Sequence, residues 1–368
     1  MQDQWEAVVT GRSGGLGASA GRLGLRLGAG LYAAGLKANL WLYTSGLKRR
    51  TQPSLPVISV GNLSLGGTGK TTTTAFLAQA LLPRVKPGIV LRGHGRSSSE
   101  AVLIVSDGSE VKATPAEAGD EAVMLARQLP GVAVAVGKRR ETVIEALRSR
   151  TGAQVAVLDD GFQYFRMARE LDLVLLDALA GPEAWRLFPA GRLREPVTHL
   201  QRASQVWITH ADLASTEHLE QLRTLARRYC PNCPVVVTRH REGVLRPLSG
   251  GGAPVEDLRG QKVVAVSALG NPQSYEMGLE KLGAQVTPAR FPDHHRYVPE
   301  DYERIKQTCR ASGAGLVVTT EKDAVKLPPP PEDCPPVVVM SCGLEVLEGL
   351  DEVESALQAV CDQVQQAD

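Results

Sequence analysis

From Pro56 onward, short runs of β-branched and aliphatic residues alternate with longer stretches of helical character. Strands are predicted at "VISVG", "GIVLR", "AVLIVS", "VAVAV", "QVAVLDD" and "LDLVLLDA", with helices starting near Lys70, Ala116 and Lys138. Strands that return repeatedly through a helix make a mostly parallel sheet flanked by helices, so an α/β fold is expected. Within it, "VSDGSEVKAT" carries an Asp-Gly pair between alternating runs and predicts a hairpin. The following stretch "LAGPEAWRLFPAGRLREPVTHL" has no clean periodicity, and irregular connections of this kind tend to be functional or mobile.

A second alternating set follows at "QVWITH", "PVVVT", "KVVAVSAL", "AQVTPARF", "GLVVTT" and "PVVVM", with helices near 215–229, 272–282, 299–312 and 351–364. Segment 239–260 is weakly periodic and marks a boundary. The expected division is an N-terminal helical segment over 1–50, a core domain over 51–240 and a smaller α/β domain over 241–368.

Ahead of the sheet, "GRLGLRLGAGLYAAGLKANLWLYTSGLKRR" is apolar but interrupted by Arg22, Arg26 and Lys37. Its uninterrupted runs fall well short of the roughly twenty residues that a spanning helix needs. At about 100° per residue, Arg22, Arg26, Lys37 and Lys48 lie within roughly 80° of one another, with most of Leu23, Leu25, Leu27, Leu31, Tyr32, Leu36, Trp41 and Leu42 pointing away. That pattern describes an amphipathic helix, lying either in a membrane interface or on the protein's own core. The glycines inside it, at about 1 kcal/mol each relative to Ala, weaken a single unbroken helix.

Composition adds little until its distribution is considered. The 368 residues are 43% hydrophobic and 22% charged with a net charge of +1, which describes a folded protein. Yet no Asp or Glu occurs between Glu6 and Glu100, where twelve Lys or Arg fall. Such a block suits an anionic partner: phosphate, nucleic acid or an acidic membrane. Six cysteines without an even framework point to free thiols in a reducing compartment, and the "CPNC" at Cys230 to Cys233 has no second pair to complete a zinc site.

The chemistry begins at "VISVGNLSLGGTGKTTTTAFLAQAL". In a phosphate-binding loop, consecutive backbone N–H groups and a helix N-terminus surround the anion, a Lys reaches the outer phosphates and a Thr hydroxyl binds Mg²⁺. Gly66, Gly67, Thr68, Gly69, Lys70 and Thr71 supply these parts between an apolar strand and a helical run, although Ser64 stands where the full motif has its first Gly. In "AVLDDGFQ" a strand ends on Asp159 and Asp160, the place where P-loop folds hold Mg²⁺ beside the phosphates. "AGDEAVML" puts Asp120 and Glu121 at a helix start, where they serve as caps or as site acids. "VGKRRET" places Lys138, Arg139 and Arg140 just past a strand, "LREP" puts Arg194 and Glu195 in the irregular connection, and "FPDHH" sets Asp293, His294 and His295 after a strand of the second set. An Asp beside a His can form an oriented base.

In order along the chain, "GNLSLGGTGKT", "GDEAVMLAR", "VAVGKRRET", "VLDDGFQYFRMARELDLVLLDA", "FPAGRLREP", "SALGNPQSYEMGLEKLGAQV", "FPDHHRYVPEDY" and "VVTTEKDAVKL" resemble the motifs of the tetraacyldisaccharide 4'-kinase family. The family's loop also lacks the first Gly. Thr72, where the family usually has Pro, and Tyr164, where it often has His, are departures. The resemblance implies a P-loop NTPase-like domain with ATP and Mg²⁺ as cofactors, and phosphorylation of the 4'-hydroxyl of an acylated disaccharide 1-phosphate to give a lipid A precursor. It implies a peripheral location on the cytoplasmic face of the bacterial inner membrane, with the membrane surface as partner and no nucleic acid. Lys70 and Thr71 would serve ATP and Mg²⁺, and Asp159 and Asp160 the metal. Asp120 would accept the proton of the sugar hydroxyl, paired with His294. Arg140 would line the nucleotide, and Glu121, Gln163, Arg194, Glu195 and Asp293 the substrate.

A rival reading is a membrane-surface partitioning or switch ATPase, whose deviant loop "GGTGKTTTTAFLAQAL" resembles. Those proteins carry a Lys just before "GG", where this chain has Leu65, and "DDGFQ", "LREP" and "FPDHH" have no role among them.

Overall fold

The computed structural model describes residues 16–181, 185–248, 255, 257–270, 272–293 and 295–367. It contains helix α1 (Leu16–Thr44) followed by β1 (Val57–Asn62), α2 (Lys70–Leu81), β2 (Pro87–Leu91), β3 (Leu103–Asp107), α3 (Pro115–Ala118), α4 (Asp120–Gln128), β4 (Ala133–Val136), α5 (Arg140–Thr151), β5 (Val155–Asp159) and β6 (Leu171–Asp177). Then come β7 (Gln205–Thr209), α6 (Thr216–Tyr229), β8 (Val235–Pro247), β9 (Lys262–Ser267), α7 (Pro272–Lys281), β10 (Gln285–Arg290), α8 (Asp301–Ser312), β11 (Leu316–Thr320), α9 (Glu321–Ala324), β12 (Val337–Glu348) and α10 (Leu350–Ala367). The twelve strands form one sheet in the order β10-β9-β11-β12-β8-β7-β6-β1-β5-β2-β4-β3.

The predicted alternation is therefore realised as a mostly parallel sheet, and burial explains why its strands read as continuous apolar runs. All six residues of β1 are buried. Ile58 and Val60 pack with Leu77 and Leu81 of α2, whereas Val57 packs on the other face with Leu147 of α5. Period-2 alternation in a strand covered on both sides sends neighbours into separate layers. Each fully buried leucine of this kind contributes roughly 1.5–3 kcal/mol. The predicted hairpin is present only as a short turn, a single Ser106–Val111 bridge with the Lys112 N–H donating to the Val105 carbonyl, whereas β3 itself pairs antiparallel with the distant β4 at one edge of the sheet.

Segment 239–260, weakly periodic in sequence, begins as regular strand. Strand β8 continues through Arg239, His240 and Arg241 to Pro247 and pairs antiparallel with the equally extended β12. This stretch carries few apolar residues because much of the ribbon is exposed, with Arg239 reaching Glu345 of the opposite strand at 2.9 Å. The two strands join the halves of the sheet. Beyond them, Val264, Val266, Tyr302 and Val317 form a separate core. Helix α10 turns back, so that Val353, Leu357, Val360 and Val364 pack with Leu77 and Trp207 of the first half.

The N-terminal helix is unbroken over 29 residues despite its glycines. Packing compensates for their low propensity: Tyr32 donates to the Arg194 carbonyl at 2.9 Å and meets Phe188 edge-on at 5.9 Å, and Tyr43 lies 6.3 Å from Phe165. A Cβ on Gly28 would lie 3.3 Å from Pro189, so glycine permits the close approach. The wheel reading is altered here. Leu23, Leu27, Leu31 and Trp41 face outward together with Arg26 and Lys37, while Leu25, Tyr32 and Leu36 are the more covered positions. The expected free thiols hold for Cys309, Cys334, Cys342 and Cys361, whereas Cys230 and Cys233 depart from the expectation and are joined in a disulfide across a turn with Cα atoms 5.3 Å apart, within disulfide range.

Candidate active site

The site forms at the carboxyl ends of the central strands. Gly66 and Gly69 adopt φ values of 120° and 81°, a region that side chains rarely enter. At Gly69 an added Cβ would also stand 3.1 Å from His240 of β8. Asn62 ends β1 and donates to the Thr68 hydroxyl at 2.8 Å, while the Thr209 hydroxyl at the end of β7 donates to the Thr68 carbonyl at 3.1 Å. The loop is thereby fixed before any phosphate arrives, and Lys70 and Thr71 open helix α2 at its positive end.

Asp159 and Asp160 lie next to this loop because β5 pairs with β1, with Asp159 opposite Val60. The Thr71 hydroxyl donates to Asp159 at 3.1 Å. Asp160 has φ 58°, tolerable for Asp, and its carboxylate accepts both Arg194 N–H groups at 2.9 and 2.6 Å. Lys70 stands 3.8 Å from the same carboxylate, and Arg194 also donates to the Asn62 side-chain oxygen.

The two neighbouring acids have opposite electrostatics. Burial, reinforced by the charge of Glu121, pushes Asp159 up to about 7. Burial acts in the same direction on Asp160, but Arg194 and Lys70 overcome it and hold that carboxyl at about 2. Asp159 is thus an under-compensated buried carboxylate beside a hydroxyl, a hard-oxygen pair of the kind that magnesium takes. Among the described residues, no group of three or more His, Cys, Asp or Glu is arranged to hold a metal.

Across from this pair, Asp120 and Glu121 begin α4 after Gly119. Both acids are met by lysines from the second half of the chain: Lys326 lies 3.3 Å from Asp120 and Lys322 lies 3.6 Å from Glu121. Lys322 is also 3.9 Å from Asp293, which brings the "FPDHH" segment to the same place. His294 lies outside the described residues. His295 is engaged within its own half, 2.8 Å from Asp301 and stacked on Phe291 at 4.9 Å.

The remaining candidates divide. Gln163 donates to the Asn62 carbonyl at 2.9 Å. Arg140 is buried, donates to the Gly137 carbonyl at 2.8 Å and lies over the Tyr164 ring at 5.5 Å; burial works against its charge, and Tyr164, Asp160 and Asp159 offset that only in part. Tyr164 itself donates to Glu141 at 2.6 Å, so this departure from the family pattern occupies a packed position. Glu195 is fully buried, with His199 and Arg202 both at 2.6 Å. This inward ion-pair network places it behind the site instead of on its surface.

Sequence reasoning missed Asn62, Thr209, Lys322 and Lys326. Asn62 was detectable as a polar residue ending a buried strand. The two lysines were visible only as part of "VVTTEKDAVKL", with no signal for what they would meet.

Comparison with known proteins finds matches along nearly the whole chain. The family described as tetraacyldisaccharide-1-P 4'-kinase matches residues 22–362. A tetraacyldisaccharide 4'-kinase of Anaeromyxobacter dehalogenans is 43% identical over 312 residues, covering 83% of this chain and 81% of that protein. Its counterpart in Halothermothrix orenii is 37% identical over 282 residues, covering 73% of each. The crystal structure of LpxK from Aquifex aeolicus in complex with ATP superimposes with a TM-score of 0.73 at 28% identity, covering 92% of this chain and 99% of that one. With the phosphate loop, the strand-end acids and the second half all inside these matches, the chain belongs to the tetraacyldisaccharide 4'-kinase family.

Proposed function

We propose that this protein transfers the γ-phosphate of ATP to the 4'-hydroxyl of a tetraacylated disaccharide 1-phosphate, producing a lipid A precursor. The observation that carries the reading is the convergence of these groups: Thr71 bonds Asp159, Glu121 is near enough to raise Asp159, and Asp120, Glu121 and Asp293 are met by Lys326 and Lys322. Phosphoryl transfer needs in-line positioning and charge neutralisation more than covalent help from the protein. The loop N–H groups and Lys70 would hold the phosphates. Mg²⁺ fits the Thr71 hydroxyl and Asp159, with Asp160 adjacent; when bound, it would neutralise charge between the outer phosphates. Asp160, committed to Arg194 and Lys70, orients the two cations. Asp120 would accept the hydroxyl proton late in transfer, since a sugar hydroxyl is a very weak acid, and His294 is assigned to orient it. Arg140 would back the nucleotide phosphates, and Glu121, Gln163, Arg194 and Asp293 would face the disaccharide.

Residues 51–240 are read as the kinase core and 241–368 as a smaller domain joined to it by β8 and β12, whose flexing would close the cleft and exclude water. The switch-ATPase alternative is not favoured, because the family match includes the acids and the second half that it leaves without a role.

Helix α1 supports action at a membrane surface. Leu23, Leu27, Leu31 and Trp41 are 61%, 67%, 78% and 58% exposed, with Arg26 and Lys37 beside them, a combination suited to acyl chains and lipid phosphates. No helix among the described residues is long and apolar enough to cross a membrane. A peripheral position on the cytoplasmic face of the inner membrane follows from that reading.

The test is a phosphotransfer assay with Mg-ATP and detergent-dispersed tetraacyldisaccharide 1-phosphate. Labelled γ-phosphate should appear at the 4' position of the lipid. ATP hydrolysis indifferent to the lipid would overturn the assignment. In the vesicle-sedimentation form of the assay, Leu27→Glu combined with Leu31→Glu should leave the protein in the supernatant, whereas undiminished sedimentation would exclude α1 as the membrane contact.

A further inference from the structure

Lysine ammonium groups are strongly hydrated and are buried only where carboxylates compensate them. Lys326 is such a case, with its side chain only 6% exposed. On one side its Nζ is 3.2 Å from Asp323, a fully buried carboxylate, and on the other it is 3.3 Å from Asp120. Asp323 is itself immobilised: it accepts from the Ala268 N–H at 3.1 Å and from the Thr320 hydroxyl at 2.8 Å, while its own N–H donates to Thr320 at 3.1 Å. The Lys326 backbone N–H closes the turn onto the Asp323 carbonyl at 2.9 Å, and the ammonium lies 5.6 Å from the Tyr297 ring centre. The ammonium stands at nearly equal ion-pair distances from both acids and is shared between them.

We infer that Lys326 is a positioning residue for Asp120, anchored on Asp323 and supplied by the second half of the molecule. The inference rests on the reading of Asp120 as proton acceptor. Its physical content is that the carboxylate due to meet the sugar hydroxyl is held by an ion pair from the second half of the chain. Asp120 is oriented for the reaction only while the two halves stand together. A misplacement of about 1 Å in a reacting group can cost about a hundredfold in rate, so a contact that fixes the Asp120 carboxylate acts on turnover. Lys326 touches neither phosphate nor sugar in this scheme, so its loss acts on turnover and spares nucleotide binding.

The experiment compares Lys326→Met and Lys326→Arg in the lipid phosphotransfer assay, alone and in an Asp120→Ala background. Lys326→Met should lower kcat about ten- to a hundredfold with the KM for ATP within about twofold, and Lys326→Arg should recover part of the loss. In the Asp120→Ala background, Lys326→Met should lower the residual rate no further. Where Lys326→Met lowers the unfolding temperature because Asp323 is left uncompensated, the Lys326→Met/Asp323→Asn pair removes the orphaned charge and should show the same kcat loss. A Lys326→Met enzyme with wild-type kcat, or an equal kcat loss with and without Asp120, overturns the inference. An Asp120→Ala enzyme at the wild-type rate overturns the underlying reading of Asp120 instead, so the two failures are distinct.

Discussion

Two pairs of adjacent acids, Asp159–Asp160 and Asp120–Glu121, define the site, and the molecule holds them by different means. The first pair ends a central strand and is fixed entirely within the first half: Thr71 bonds Asp159, while Arg194 and Lys70 pair with Asp160. The second pair begins a helix, and its cationic partners Lys326 and Lys322 come from the region after β11. One pair is set when the sheet forms. The other depends on how the two halves meet.

The most severe way to test that contrast is to remove the self-contained pair's uncompensated member. Asp159→Ala should lower turnover by about a thousandfold or more, as loss of a major electrostatic group does, while leaving the Asp120–Lys326 contact undisturbed. A single-turnover measurement showing less than about a tenfold loss would remove Asp159 from the metal and phosphate machinery. Next in size, Asp120→Ala should lose at least about two orders of magnitude in turnover while ATP affinity, read by nucleotide titration, stays constant. An unaltered rate would return Asp120 to the role of helix-start acid.

The smallest expected effect sharpens the second pair internally. Lys322 stands farther from its acids than Lys326 does from Asp120, and both Glu121 and Asp293 are partly exposed, at 43% and 48%. Exposed pairs contribute about 0–1 kcal/mol, so Lys322→Ala should change kcat/KM by no more than about fivefold, and salt should narrow the difference. A loss as large as that of Lys326→Met would show that the two lysines act as one unit.

Much of the first pair was legible in sequence because its geometry is local. A strand, a glycine loop and a helix are contiguous over Val57 to Leu81, and β5 announces its acids by ending an apolar run on them. The long crossing strands were not legible. Their residues Arg239, His240 and Arg241 pair with Glu345, Leu344 and Gly343 in a polar ribbon where Arg239 is offset by Glu345, so hydrophobic patterning gave no signal. Glu195 was misleading for a related reason: its neighbour Arg194 reaches Asp160, whereas its own carboxylate turns inward to His199 and Arg202.

By itself, then, the sequence determined the α/β alternation, the phosphate loop and the strand-end acids, because each is written in spacing along one segment and enforced by short-range geometry. Only the tertiary structure decided which cations meet which acids. Lys326 and Asp120 are separated by about half the chain, and they meet where a buried Asp323, held by Ala268 and Thr320, pairs with the same lysine. Charge pairing depends on distance in space, and linear spacing carries no record of it.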